Sequence, residues 1–238
     1  FTSDTLNDGH LLAKGKFLLQ TQGEDTASLL FWSKETSEPL LIKKMNGTVS
    51  IVSVNPKTQD VLVRRERNDE VHYYIGNLNA YISGTASEDE ELQLVPLDSL
   101  IPEEPSEVAW DARSAALWMR IADILVRIDY HANTRTQLAD GVTDILATEE
   151  GLLYLQQGKS GLVLRREKTQ QSHDIEIPIT DTASTILSAE KNMFILAGRD
   201  TTLLYEVERP GIASTRELTG KVDHAVWQKD AFILLWSG

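Results

Sequence analysis

The sequence contains no cysteine. Disulfides, thiolate metal sites and cysteine nucleophiles are therefore excluded. No compartment follows, because a large core needs no disulfide in either redox environment. No apolar run is long enough to span a bilayer, and no basic stretch leads into an apolar one as a leader would. The chain starts at Phe1 rather than Met, so it is expected to be a piece of a longer polypeptide. Positive charge is also scarce: 23 Lys and Arg stand against 36 Asp and Glu, a formal net charge of -13. A sequence-independent grip on nucleic acid needs clustered Lys and Arg, and an anionic lipid surface repels an acidic chain. The acidic excess is read first as a source of solubility.

Catalytic and cofactor signatures are missing too. The five histidines, His10, His72, His131, His173 and His224, show no metal-ligand spacing and no His-Glu-x-x-His. They read as structural or surface groups, and neither a metal nor a cofactor is expected. Gly158-Lys159-Ser160 has the end of a phosphate-binding loop, but Leu153 stands where the first glycine belongs and LVLRR follows as a strand. No Gly-x-Ser-x-Gly elbow occurs. Asn46-Gly47-Thr48 matches a glycosylation sequon, and the Asn-Gly pair is already explained as a turn. Paired carboxylates remain open, because distant parts of a chain can supply them.

What is present is a repeat. With 41% hydrophobic and 25% charged residues the chain is an ordinary soluble globular sequence. Its apolar runs are short and rich in Leu, Val, Ile and aromatics, as strands are, and none keeps a 3.6-residue period over three turns. Residues 184–221 read as four strands: STILSAEKN, MFILAGRD, TTLLYEVERPG and IASTRELTGK. KFLLQTQGED, TASLLFWSKETS and EPLLIKKMNGT, within the first 48 residues, repeat the order of runs and turns. Second-strand positions fall at Phe17, Val61, Leu117, Leu153, Phe194 and Phe232, with spacings of 44, 56, 36, 41 and 38. A period near 40 with four strands per unit predicts an all-β propeller of four-stranded antiparallel blades. Six blades are expected, with seven as the alternative and a β-sandwich as the runner-up fold.

The blades are expected over 9–48, 49–106, 107–141, 142–181, 182–221 and, in part, 222–238, as one domain. In blade 2 the fourth strand is predicted at Ala80–Ser83, after the turn Asn55-Pro56-Lys57-Thr58-Gln59. Residues 86–106 carry seven acidic side chains and three prolines. They read as a lengthened connection with an extra outer strand at Leu92–Leu97. The segment is either a solvated loop or an acidic lip for a basic partner or a cation. TSDTL at 2–6 resembles STREL at 214–218, so Thr2–Leu6 is expected to pair in the blade of Ala231–Trp236. Otherwise the missing third strand lies beyond residue 238. The tryptophans Trp32, Trp110, Trp118, Trp227 and Trp236 all fall in strand patterns and are expected to pack in the core.

VAWDARSAALWM at 108–119 resembles the first two strands of WD40-like propeller repeats of the bacterial TolB type. ILVRIDYHANTRTQL at 124–138 resembles the third and fourth. The Gly-His and Trp-Asp signatures of eukaryotic WD40 repeats are absent. The resemblance implies a binding platform, since such propellers mostly bind and some cover hydrolases. The expected function is a non-enzymatic binding propeller, an extracytoplasmic part of a larger bacterial protein that meets a protein or small ligand at one face. The alternative is a hydrolase or lyase acting on glycans or peptides with carboxylates at the propeller mouth. Such propellers gather their second-to-third-strand turns on one rim. There the candidate binding residues are Arg67, Asp69, Asp123, Lys159, Arg199 and Asp200.

Overall fold

The computed structural model describes residues 5–13, 15–87, 89–111, 114–149, 151–158, 161–167, 173–179, 185–190, 192–198, 201–209, 212–218, 222–228 and 231–235. The chain divides into two compact units, Phe1–Glu104 and Pro105–Gly238. All its sheets are antiparallel meanders.

The first unit opens with β1 (Thr5–Ala13), β2 (Lys16–Gln22), β3 (Thr26–Ser33) and β4 (Leu40–Asn46), paired in that order. In β3 strict alternation buries Ala27, Leu29, Phe31 and Ser33 on one face, as period 2 requires. Thr5 and Leu6 pair with Gln22 and Thr21. They therefore start the first sheet and do not join the strand at Ala231–Leu235, which corrects the expected pairing. They continue β1 across a bulge between Leu6 and Asp8, and a five-residue likeness to 214–218 could not outweigh that pairing.

Gly47, at φ 95°, turns the chain into the second sheet, where a Cβ would lie 2.4 Å from the Glu66 carbonyl oxygen. β5 (Thr48–Val54), β6 (Asp60–Arg67) and β7 (Glu70–Asn77) follow. The turn between β5 and β6 forms as expected, with Asn55 Oδ1 accepting the N–H groups of Lys57 and Thr58. The predicted strand at Ala80–Ser83 is instead a short helix, α1 (Asn79–Ser83). Asn77 Oδ1 accepts the Asn79 N–H at its start, and Gly84 ends it in the left-handed conformation. Tyr81 is buried with its ring 6.1 Å from Phe31.

The fourth strand comes from the acidic segment. It is β8 (Val95–Pro96), bonded to Ile75 and Tyr74 of β7. Proline lacks an N–H and suits this outer edge. Leu92, Leu97, Leu100 and Ile101 are buried, and the Leu92 N–H donates to the Ile42 carbonyl. The segment is thus neither loose nor wholly solvated: its leucines face the core while Glu91 and Glu104 pair outward with Lys43 and Arg64.

The second unit holds β9 (Glu107–Trp110), β10 (Ala116–Ile121), β11 (Ile124–Asp129) and β12 (Thr134–Ala139). Next come β13 (Val142–Thr148), β14 (Gly151–Gly158), β15 (Gly161–Glu167) and β16 (His173–Ile179). The third sheet is β17 (Thr185–Glu190), β18 (Met193–Ala197), β19 (Thr202–Arg209) and β20 (Ile212–Leu218). Last are β21 (His224–Gln228) and β22 (Ala231–Leu235), which pair with each other. The first strands β9, β13, β17 and β21 run beside one another.

Stacking explains the continuous apolar runs of the second strands. In β14, Leu152 and Tyr154 join Trp118 and Leu125 of the preceding sheet. Leu153 and Leu155 join Phe194 and Leu196 of the following one. In β18, Ile195 turns the other way, to Val222 and Ala225. A strand covered on both sides has no polar face to alternate with. Trp110 and Trp118 are buried, while Trp32 and Trp227 are half-buried against Phe17 and Phe232. Trp236 lies outside the described residues.

Candidate functional site: hairpin tips and a carboxyl cluster

Three of the expected binding residues, Arg67, Asp69 and Asp123, sit where hairpins turn. Arg67 ends β6, and Asp69 follows Asn68 in a two-residue turn with φ of 53° and 63° at the two positions. Both central residues at positive φ make the hairpin turn that matches strand twist. Asp123 shares the β10–β11 turn with Ala122. All three are exposed. Among the described residues none of their side chains has an ion-pair or hydrogen-bond partner. Lys159, Arg199 and Asp200 lie outside the described residues. The Asp123 turn is rigidly held: its carbonyl accepts the Val142 N–H at 2.8 Å, where β13 begins. In the first unit the Asp25 carbonyl accepts the Gly47 N–H in the same way, at 2.9 Å.

Beside the Asp123 turn lies a cluster that sequence reasoning missed. Glu107 opens β9, Arg120 is near the end of β10, and Asp144 is the third residue of β13. The Arg120 guanidinium is forked. Its Nε donates to Glu107 Oε2 at 2.8 Å, and its Nη1 donates to the Ala122 carbonyl at 2.8 Å. Asp144 is 8% exposed, and its Oδ2 accepts the Ile186 N–H at 2.5 Å. Its carboxyl lies beside that of Glu107, near enough for the two to share a proton. Three adjacent first strands, β9, β13 and β17, therefore meet at one side chain.

Burial pushes the Asp144 carboxyl up to about 7, with the negative charge of Glu107 adding to the rise and the Ile186 N–H and Arg120 opposing it. The bond to Glu107 raises Arg120 above its ordinary value against the effect of burial. One clue to Asp144 was local. A register shift falls just before it in β13, and the same irregularity precedes Asp8, Ser53 and Ser188 in β1, β5 and β17. Each bulge is followed by a polar residue, and a bulge re-aims the side chain after it.

A second polar group involves the opposite ends of these strands. Arg127 of β11 is within 3.8 Å of Asp111 and 3.9 Å of Asp129, and donates to Ser114 Oγ at 3.0 Å. Burial raises the Glu167 carboxyl, and Arg127 opposes that rise. Histidines stay peripheral where described: His10 pairs with Asp8, and His72 with Asp98. No three His, Asp or Glu among the described residues come together as a metal site would require.

No family model matches the sequence, and no curated protein does. Solved structures match it. The N-terminal domain of Nup159 is 12% identical with a TM-score of 0.57, over 91% of this chain and 64% of that one. An uncharacterized protein from Listeria monocytogenes is 12% identical with a TM-score of 0.57, over 91% and 67%. The Nup159 domain is a β-propeller. The present chain has a β-propeller fold. The likeness of 108–119 and 124–138 to propeller repeats therefore holds at the level of the blade, and the β-sandwich is set aside.

A Saccharomyces cerevisiae structure of Dbp5 bound to Nup159 also matches this propeller, 11% identical with a TM-score of 0.53 over 86% and 58%. The chain spans about two thirds of the length of the Nup159 domain and the Listeria protein, 64% and 67%. No described helix is long and apolar enough to cross a membrane.

Proposed function

We propose that this propeller is a binding module that meets a partner protein through its hairpin tips. One observation carries the reading: the convergent carboxyls are engaged within the fold, whereas the tip side chains are not. Asp144 holds the Ile186 amide and Glu107 holds Arg120. Arg67, Asp69 and Asp123 stand exposed without described partners. Charged groups fixed on rigid turns steer and orient a partner at little entropic cost. The Nup159 propeller, a fold neighbour, is itself found bound to another protein. We further read the chain as an extracytoplasmic part of a larger bacterial protein.

The test is a crosslinking and co-purification comparison of the wild-type chain with the double variant Arg67→Glu, Asp123→Lys. Loss of one specific partner with an unchanged Tm supports the reading. Retention of every partner sinks it.

The alternative is a hydrolase or lyase, and the Glu107–Asp144 pair beside Arg120 favours it. A buried, proton-retaining carboxyl beside a second carboxyl suits general acid–base work. Turnover of a glycan or peptide panel, abolished by Glu107→Gln, would replace binding with this reading.

A further inference from the structure

We propose that Glu107 and Asp144 form a proton-operated clasp between the first strands of three consecutive blades, closed when they share a proton and loosened when it leaves. The geometry assigns each partner. In the closed state the protonated Asp144 carboxyl donates to Glu107 on β9, while Oδ2 accepts the Ile186 N–H from β17. Glu107 remains ionised and keeps the Nε–H of Arg120. That arrangement places one carboxylate against one guanidinium, so the site is neutral.

Removal of the proton leaves two carboxylates against a single guanidinium. The charged groups acting on Asp144 are Glu107 from β9 and Arg120 from β10, and β17 contributes its amide. Arg120 cannot turn wholly to Asp144, because its Nη1 is committed to the Ala122 carbonyl. The uncompensated charge is buried, where repulsion is least screened. Relief requires water to enter or β13 to part from β9 or β17. The rise of the Asp144 carboxyl to about 7 sets the range in which this happens. Arg120 also holds the Ala122 carbonyl in the Asp123 turn, so loosening reaches that hairpin tip.

The sign is definite. The folded carboxyl binds its proton more tightly than the unfolded one, so the contribution to stability is full below about pH 4 and is lost as pH rises through about 7. Asp144→Asn imitates the closed state, since its amide donates to Glu107 and its carbonyl accepts the Ile186 N–H.

The experiment follows amide exchange at Ile186, corrected for intrinsic base catalysis, together with Tm, from about pH 4 to about pH 8 in wild type and Asp144→Asn. In wild type the Ile186 protection is expected to fall by up to about tenfold per pH unit between about pH 4 and 7 and to level off above that range. In Asp144→Asn it stays flat, and the Tm advantage of the variant grows with pH. Glu107→Gln is the second variant. It removes the neighbouring charge and supplies a side-chain amide that donates to Asp144, which moves the wild-type transition to lower pH. Protection that ignores pH in wild type, a slope that survives in Asp144→Asn, or a midpoint unmoved in Glu107→Gln would each overturn the clasp.

Discussion

Ala122 has φ of 53°, a conformation that strains any residue with a Cβ. It stands in a two-residue turn whose carbonyl holds Arg120. Ala122→Gly should therefore raise stability by up to about 1 kcal/mol, the relief of strain exceeding the entropy lost by glycine. Chemical denaturation gives the value, and a drop in midpoint would show that the turn is not strained. Asn55 teaches the reverse lesson. It is buried and its Oδ1 satisfies two backbone N–H groups. Asn55→Ala leaves both without a partner and should cost about 1–3 kcal/mol.

Elements show where local chemistry stops being sufficient. Asn46-Gly47 was legible because few residues other than glycine tolerate its φ and the close approach to Glu66. Gly47→Ala should cost well over about 1 kcal/mol in thermal or urea unfolding. The runs LLYL and FIL were legible because the residues along them carry side chains suited to burial on both faces. Ala80–Ser83 was not legible. Four residues do not distinguish a strand from one helical turn, and the decision rests on Asn77, Gly84 and the burial of Tyr81. An outer strand within Leu92–Leu97 was legible from its leucines, but not that it is the fourth strand of the second sheet, because Ala80–Ser83 competed for that place. Glu107, Arg120 and Asp144 were beyond reach as a group. They come from three strands and two sheets, and nothing in the spacing of their neighbours reports that they meet.

For the molecule as a whole, charge is the accessible variable. A net charge of -13 repels itself in the compact state, and salt screens that repulsion. Tm at neutral pH should rise as NaCl goes from about 10 mM to about 150 mM, over which the Debye length shrinks from about 30 Å to about 8 Å. A fall would mean that pairs such as Glu107–Arg120 and Lys43–Glu91 outweigh the general repulsion.

The two-sided burial of β14 has a consequence for how such a chain changes over generations. Leu152 and Tyr154 answer to Trp118, whereas Leu153 and Leu155 answer to Phe194. Alternate positions of one strand thus belong to different partnerships. A lost methylene at Leu153 can be compensated from the Phe194 side and scarcely at all from the Trp118 side. Substitutions accepted in this strand should therefore arrive as two interleaved sets, each drifting with its own neighbouring blade. The same arrangement lets a blade be duplicated or exchanged as long as both of its faces find a fitting surface.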